Sequence, residues 1–597
     1  MTVAGVPDRA WPWLGALALL VLLWSCRGSM PGVPVADDYS FLARLRFRAP
    51  LDPFDSMGAT YYWRPLSRQA YFSVIGPLLF QAPWLSALVN AAALLVTYVA
   101  VWRIARRAFA PPVAAAIATF PLLSEPARAL LAWPSGVQHL LAGALAALAF
   151  DQALSARWAL AAFLAGGGIL SHESAALALA ALPILAWRHP GGFPARPSLG
   201  RRHATAAALS ATALVLGVWA VGYRVALGHG VQLPPRSAAM LPLARFADLV
   251  SRAIPAALDL EDLEPVRRAA LVIGYAGIVA LALFKLARTE ARRRWRKAAA
   301  VLGAGAAWFA VGAVPLAHLL PDWNAWRAWV PTLGLGVGFA AALAVVQPAL
   351  AVAFAALRLL ALLLAPAAPP DVSTAAPATA SHMSYVRLVR LQRTLDSTRR
   401  ALVTTHPELP PGTSVRYWNL PRLAEVGFQG SAALRVWYRD STLRWERFGG
   451  PGGLKRGGDV VVEYRDFAAS PATVIEPAAI ALLAQAARAY GERRFAAADS
   501  LLARGLESTA SRGTLYGTLL INRARANIEL GRLLVADSLN RRSRQYWPTN
   551  ADSWAVEARI FAMRGDRRAA VAALRRCFAI EPRHAEAHEL ARSLGLL

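Results

Sequence analysis

Two adjacent carboxylates, Asp37 and Asp38, follow the first apolar segment of the chain, residues 11–26. An apolar segment of this kind can enter a bilayer, so the pair is predicted to stand where the chain emerges at the membrane surface. An ionised carboxylate can take the proton of an attacking hydroxyl, which makes either aspartate a candidate general base. The other would orient the base or hold a divalent cation such as Mg²⁺ or Mn²⁺, and the sequence leaves both open. Capping of a helix over residues 39–46 is a further role, compatible with catalysis.

Two arginines are candidates for binding a phosphate group. Arg64 follows the aromatic run Tyr61–Tyr62–Trp63, and Arg327 stands in a short polar turn. A guanidinium stays charged and offers forked donors that fit phosphate oxygens. For Arg64, a structural ion pair or a lipid-headgroup anchor is an equally open alternative.

Four further polar residues stand at or near the ends of apolar segments. Burying any of them alone would be costly, so they are expected either to pair with one another or to line a wet cavity. Cavity lining is the prediction for all four: Glu125, His139, His172 and Glu173.

The composition indicates a membrane protein, since 56% of the 597 residues are hydrophobic and only 17% are charged. About eleven helices are predicted, although several segments are shorter than the roughly 20 residues of a straight span. The segments lie near residues 11–26, 82–102, 109–123, 136–154, 158–170, 173–187, 204–227, 268–286, 298–320, 328–347 and 349–367.

Arginine-rich stretches at 103–107, 188–202 and 285–297 fall on one side of this helix count, which predicts that side to be cytoplasmic. The loop of Asp37 then faces outward, and an odd number of spans places the C-terminal part on the outer, periplasmic side of the inner (plasma) membrane. The net charge of +28 follows from basic clusters that contact anionic membrane lipids, so no nucleic-acid partner is predicted.

The C-terminal part is predicted to be soluble. A proline-rich linker over 368–382 precedes a small α/β module over 383–470, with strands near 415–418, 434–438 and 460–464. Residues 474–597 carry a helical pattern with a 34-residue period, which is that of tetratricopeptide repeats. Such repeats form a non-catalytic scaffold that would bind a protein partner. The period is seen in the pairs Gly531 and Gly565, Ala524 and Ala558, Ala536 and Ala570, and Pro548 and Pro582.

Taken together, these motifs resemble the GT-C superfamily of glycosyltransferases, and most closely its membrane O-mannosyltransferases with tetratricopeptide repeats. The chain departs from that pattern at His172, where the family usually has lysine, and at residues 136–139. The resemblance is carried by Asp37–Asp38, Arg64–Pro65–Leu66, Pro121 to Glu125 followed by Trp133 and Gly136, residues 170–174 and, less well, residues 326–332.

The resemblance implies an all-α, GT-C-like polytopic membrane domain over residues 1–367. It also implies an inverting, mannosyltransferase-like enzyme. The donor would be a lipid-linked sugar on polyprenyl phosphate, and the acceptor a hydroxyl of a protein or glycan. The sequence contains no Gly-rich phosphate loop between a strand and a helix, which argues against a nucleotide-sugar donor. Two alternatives stay open: a non-catalytic membrane scaffold or assembly protein with repeats, and a transporter of lipid-linked sugars.

Overall fold

The structure is a computed structural model, and the chain divides into two compact units, one ending at Arg393 and the other beginning at Thr394. The predicted linker, 368–382, lies outside the described residues. Residues 385–393, which the sequence analysis assigned to a soluble module, belong to the first unit. The described residues are 11–47, 52–191, 200–232, 242–260, 263–288, 292–319, 325–365, 384–418, 420, 424–447, 460–464, 472–475, 477–509, 514–547, 550–582 and 584–596.

The first unit is built from helices. A π-helical stretch, Pro65–Ala70, precedes α3, and short 3₁₀ turns occur at Gly76–Leu78, Pro134–Gly136, Glu173–Ala175 and Ala325–Ala328. The helices are α1 Pro12–Ser25, α2 Asp37–Phe47, α3 Tyr71–Ile75, α4 Trp84–Arg106, α5 Pro111–Ala118, α6 Glu125–Ala132, α7 Val137–Ala153, α8 Trp158–Ser171, α9 Ala176–Arg188, α10 Arg201–Leu227, α11 Pro242–Ala257, α12 Pro265–Arg288, α13 Arg292–Leu319, α14 Trp329–Val346, α15 Pro348–Leu363 and the start of α16 Tyr385–Thr405.

Within the described residues, five helices are long and apolar enough to cross a membrane, which is compatible with a membrane protein. Three shorter apolar helices occupy Trp13–Ser25, Trp158–Ser171 and Pro348–Leu363. The mostly helical, apolar character of this part is therefore confirmed, while the count of eleven spans stays a prediction. The five candidate spans are Trp84–Arg106, Arg201–Leu227, Pro265–Arg288, Arg293–Val314 and Trp326–Val346.

The candidate spans differ in how much of their surface is buried. More than half of the apolar stretch is buried in α4 and α14, whereas α10, α12 and α13 bury less than a quarter. Helices α13 and α14 approach closely through glycines: a Cβ on Gly305 would lie 2.5 Å from the carbonyl oxygen of Gly334. Small residues at such crossings are typical of helix packing in membranes. The sparsely buried helices leave apolar faces that lipid would cover.

The second unit contains the end of α16, a four-stranded sheet and two short helices, α17 Ala424–Phe428 and α18 Ala432–Tyr438. The strand order is β2-β1-β3-β4, with β1 parallel to both β2 and β3 and with β4 antiparallel to β3. The strands are β1 Ser414–Trp418, β2 Arg444–Arg447, β3 Val460–Glu463 and β4 Thr473–Ile475.

The predicted strand over 434–438 is wrong, because these residues lie in α18. Its leucine, valine and aromatic side chains favour strands intrinsically, but burial of Ala433, Leu434 and Val436 is compatible with a helix face and decides the local structure.

The remainder of the second unit consists of helices that pack mainly on their neighbours in sequence. Gly531 and Gly565 both have positive φ, which lets the chain turn between the helices of a pair. Ala524, Ala558 and Ala570 are fully buried where helices meet, and Pro548 lies outside the described residues. The helices are α19 Pro477–Gly491, α20 Phe495–Glu507, α21 Thr514–Glu529, α22 Leu533–Tyr546, α23 Ala551–Met563, α24 Arg567–Ile580 and α25 Ala585–Ser593.

Candidate functional site

The first unit encloses a cavity of about 570 Å³. One part of its wall is apolar and comes from α9, α10 and α13, through Leu177, Trp219 and Val311 among others. The other part is polar and contains six of the predicted site residues. The polar wall is formed by Asp37, Tyr62, Arg64, Arg68, Ser135, Gln138, His139, His172, Glu173, Ser174 and Arg327.

Asp37 is the first residue of α2 and lines the cavity with an exposed side chain. The residue before it, Ala36, has a φ of 52°, a left-handed conformation that residues with a Cβ rarely adopt. The chain therefore turns sharply into α2, and this turn places Asp37 at the cavity. Of the two predicted bases, Asp37 is the carboxylate that solvent and a substrate can reach.

Asp38 is fully buried and is not among the residues that line the cavity. One oxygen accepts a hydrogen bond from the Val35 amide at 2.8 Å; the other accepts from the Ser135 amide at 2.9 Å and from the Ser135 hydroxyl. Burial raises the pKa of Asp38 to about 8, against the lowering effect of these bonds. Asp38 thus joins the start of α2 to residue 135, and it is the less accessible of the two predicted bases.

Arg64 forms an ion pair with Glu173. Its Nε lies 2.9 Å and 3.0 Å from the two Glu173 oxygens, and its Nη2 lies 2.6 Å from one of them. A third donor, Nη1, reaches Gln138 at 2.9 Å, and the guanidinium lies over the Tyr62 ring at 4.6 Å. Of the alternatives for Arg64, the structural ion pair is present, because one carboxylate and one amide oxygen take up its donors.

Arg68 is a cavity residue that the sequence reasoning missed. Its Nε donates to Gln138 at 3.2 Å, and its guanidinium lies 4.8 Å from the centre of the Phe41 ring. Burial lowers the pKa of Arg68 to about 10, and neighbouring Arg64 acts in the same direction, yet the side chain stays charged at neutral pH. The sequence signal was its position four residues after Arg64, in the π-helical stretch that brings both side chains to Gln138. Such stretches are frequent at functional sites.

The two histidines form an aromatic cluster with Trp326. The rings of His139 and His172 have centres 4.1 Å apart, and His139 packs against Trp326 at 5.0 Å. Trp326 also makes an edge contact with Trp133 at 5.2 Å. Burial holds the pKa of His172 well below its usual value, with Arg64 and His139 adding to the effect. His172 is therefore neutral at physiological pH, and hydrogen bonds with Ser174 orient its ring.

Arg327 lines the cavity, as predicted from its place in a polar turn. It is half-buried, and its guanidinium lies 4.9 Å from the centre of the neighbouring Trp326 ring. Arg68 and Arg327 thus bring two guanidinium groups to the cavity wall in addition to the paired Arg64.

Glu125 does not line the cavity, so that prediction is wrong. It is the first residue of α6 and is buried, where one of its oxygens accepts a hydrogen bond from the Tyr385 amide at 2.9 Å. The Tyr385 ring in turn lies 3.9 Å from the guanidinium of Arg128. The partner that makes burial of Glu125 tolerable comes from 260 residues further along the chain, which no local pattern reveals.

The predicted divalent cation does not fit the donors that the cavity offers. Both oxygens of the buried Asp38 accept hydrogen bonds, and Glu173 is engaged with Arg64. Among the described residues, no group of three or more His, Cys, Asp or Glu side chains is arranged to hold a metal ion. Asp37 is left as a single carboxylate, which is too few ligands for a protein-held Mg²⁺ or Mn²⁺ site.

Comparisons with known proteins give little support for any family. No family model matches the chain and no curated protein matches it. One solved structure, described as the crystal structure of the APC/C hetero-tetramer Cut9-Hcn1, covers 88% of this chain and 90% of its own at 12% identity, with a TM-score of 0.19. A likeness at that TM-score carries no argument about fold or function.

Proposed function

We propose that the protein is a membrane glycosyltransferase of GT-C type. It would move a sugar from a polyprenyl-phosphate donor to an acceptor hydroxyl, with Asp37 as general base. The observation that carries the proposal is the joint presence of one exposed carboxylate, Asp37, and two guanidinium groups, Arg68 and Arg327, on the wall of a single cavity. Glycosyl transfer from a lipid phosphate needs both a proton acceptor and a cationic group for the leaving phosphate.

The proposed step is a direct displacement. Asp37 accepts the proton of the acceptor hydroxyl while that oxygen bonds to the anomeric carbon of the donor. The bond from that carbon to the phosphate oxygen breaks, its electron pair leaves with the lipid phosphate, and the sugar inverts. Arg68 and Arg327 stabilise the charge that develops on the phosphate. A buried guanidinium interacts more strongly with that charge than an exposed one, because less water screens it.

The apolar part of the cavity suits the lipid portion of such a donor. Trp219 of α10 and Val311 of α13 line it, and both helices leave most of their apolar surface unburied. A polyprenyl chain in the bilayer would reach the cavity along these faces. The neutral His172 and the rings around Trp326 would then contact the sugar, whose apolar face packs well on aromatic side chains.

Placement in the membrane and the role of the helical repeats belong to the same proposal. The arginine-rich stretches at 103–107 and 188–202 would face the cytoplasm, and the cavity the outer side of the inner membrane. The helix pairs α21–α22 and α23–α24 would be tetratricopeptide repeats that bind a protein partner or present a polypeptide acceptor.

The test is transfer by the purified full-length protein in lipid nanodiscs, with a radiolabelled polyprenyl-phosphate sugar as donor and membrane extract as acceptor. Asp37→Asn should lower the transfer rate at least about 1,000-fold, because the amide cannot accept the proton. Asp52→Asn is the matched control: Asp52 is an exposed carboxylate in the connection between α2 and α3, it accepts a hydrogen bond from the Phe54 amide, and it is not among the residues that line the cavity.

Transfer by Asp37→Asn at the unmodified rate would refute the assignment of the base. Movement of the lipid-linked sugar across the bilayer without transfer would favour a transporter. Full yield and folding with no transfer or transport by the unmodified protein would favour a scaffold.

A further inference from the structure

The buried side chain of Gln392 makes three hydrogen bonds that the proposed reaction does not use. It lies in the first half of α16 and is fully buried within the first unit. Its Oε1 accepts from the Met30 amide at 3.1 Å, while its Nε2 donates to the carbonyl oxygens of Ala132 at 3.0 Å and Val33 at 3.3 Å. One side chain thereby joins the connection that leads to Asp37 with the end of α6.

That connection, which we call the approach segment, comprises residues 28–36 and runs from the end of α1 to Asp37. It contains little regular structure of its own, so its position depends on contacts with its neighbours. The Gly32 amide donates to the Ala132 carbonyl at 2.9 Å, and a Cβ on Gly32 would lie 1.8 Å from the Pro83 carbonyl oxygen. Hydrogen bonds to Gln392 and Ala132 therefore fix the position of the middle of the approach segment.

The far end of the approach segment is strained. Ala36 adopts its left-handed conformation, which is unfavourable for a residue with a Cβ, immediately before Asp37. Such a conformation persists only where surrounding contacts impose it. Asp38, which follows this turn, is hydrogen-bonded to Val35 and Ser135. Gln392 is hydrogen-bonded to Met30 and Val33, which precede the turn.

The first turns of α16 are themselves anchored in the first unit. The Tyr385 amide donates to Glu125, the Tyr385 ring stacks on Arg128, and Arg393 donates to the Gly28 carbonyl at 2.6 Å. Gln392 is thus presented by a helix whose first turn is held to α6 through Tyr385, and Arg393 adds a further contact with the approach segment at Gly28. Gln392 therefore supports the segment that leads to the proposed catalytic residue, Asp37.

We infer that Gln392 is a positioning residue that sets the location of Asp37 relative to the cavity. The inference rests on the proposed function, since it assigns Asp37 a geometry that matters for proton transfer. Displacement of a reacting group by about 1 Å can cost roughly 100-fold in rate. Loss of the three bonds would remove these partners from the Met30 amide and the Val33 carbonyl and would leave the Ala132 carbonyl with its bond from the Gly32 amide, which favours a shift of the approach segment toward water.

The test replaces Gln392 with methionine, which keeps the shape and removes all three bonds. In the transfer assay, Gln392→Met is expected to lower kcat at least about tenfold while KM for the donor stays within about twofold, because the phosphate-binding arginines are untouched. The matched control is Thr398→Val on the same helix. It removes a buried hydrogen bond to the Tyr464 hydroxyl within the second unit, so kcat should be unchanged.

A second readout does not depend on activity. Asp37→Cys, made in the full-length protein with and without Gln392→Met, is labelled with a water-soluble maleimide, and the labelling rate is expected to change at least about threefold when Gln392 is replaced. If Gln392→Met lowers the yield of folded protein, Gln392→Asn gives the same two readouts, since its shortened amide cannot reach all three partners.

Unchanged kcat and unchanged labelling in the Gln392 variants would overturn the inference, and so would an equal loss of kcat in Thr398→Val. If the unmodified protein shows no transfer, the proposed function fails, but the labelling result still decides whether Gln392 sets the position of residue 37.

Discussion

Arg68 beside the cavity and Arg541 on α22 carry the same charged group in opposite surroundings. Arg68 is 8% exposed and its hydrogen bond goes to the neutral amide of Gln138. The Arg541 side chain is 66% exposed and pairs with Asp537, one helical turn away, at 3.0 Å. Water compensates most of the charge of Arg541, whereas Arg68 has given up hydration for a hydrogen bond to an amide and for the attraction of the nearby carboxylates Glu173 and Asp37. A charge kept under such conditions is typical of a binding site rather than of a stabilising contact.

The same contrast holds between the two regions as a whole. The helical pairs of the second unit pack in a similar way, with small residues at fixed intervals and ion pairs toward the surface. The charged and aromatic residues of the cavity wall do not recur at a fixed spacing in the sequence. Substitutions in the repeats should therefore lower the free energy of unfolding moderately. Substitutions at the cavity should mainly change the transfer rate.

Among the substitutions that test this contrast, the largest effect is expected for Arg68→Gln. Removal of this guanidinium should lower the transfer rate at least about 100-fold, because less positive charge faces the leaving phosphate. The unfolding temperature should be unchanged or higher, since the cost of burying the charge disappears. Transfer and thermal unfolding are measured on the same preparation, with Arg541→Gln as the control. Full activity of Arg68→Gln would place the phosphate elsewhere.

The next effect concerns the pH dependence of stability through Asp38. Its pKa is about 8 in the folded protein and ~4 when unfolded, so between these values the folded state holds a proton that the unfolded state has lost. The free energy of unfolding should then fall as pH rises from about 4 to about 8. Asp38→Asn should flatten this slope, as measured by thermal unfolding in nanodiscs at a series of pH values. An equal slope in the variant would assign the pH dependence to another group.

A moderate effect is expected in the repeats for Ala558→Leu. Ala558 is fully buried where α23 meets its neighbours, and three extra carbons there should cost about 1–3 kcal/mol through overpacking. Hydrogen exchange of the α23 and α24 amides should report the loss, while transfer stays near its original rate. Ala572→Leu, at an exposed position of α24, serves as the control. Equal protection in both variants would mean that α23 has room for the larger side chain.

The smallest effect is expected for Asp537→Asn. Asp537 contacts the exposed side chains of Arg541 and Arg564, and such surface pairs contribute about 0.5 kcal/mol or less. The change in hydrogen exchange of α22 should be small and should vanish at high salt. If Asp537→Asn lowered the protection of amides from exchange as much as Ala558→Leu does, the contrast between exposed and buried charges would not hold.

The sequence predicted those parts of the structure that depend on local pattern. Apolar runs gave helices close to the expected positions, and polar residues at the ends of those runs, such as His172 and Glu173, do line the cavity. Glu125 stands in the same kind of position but meets Tyr385 instead, a partner too distant in sequence to foresee. Arg68 was not predicted as a site residue, because its contact with Gln138 depends on the π-helical stretch. The functions of these residues stay predictions until transfer is measured.

The left-handed backbone at Ala36 has a consequence for which proteins can share this site. Glycine or asparagine would adopt that conformation readily at position 36, whereas valine, isoleucine or threonine would force the chain to turn elsewhere and carry the next residue with it. Any homologue that keeps an acid at the position of Asp37 should therefore show a small or left-handed-tolerant residue before it, and a β-branched residue there would mark a protein whose reaction, if any, is organised differently.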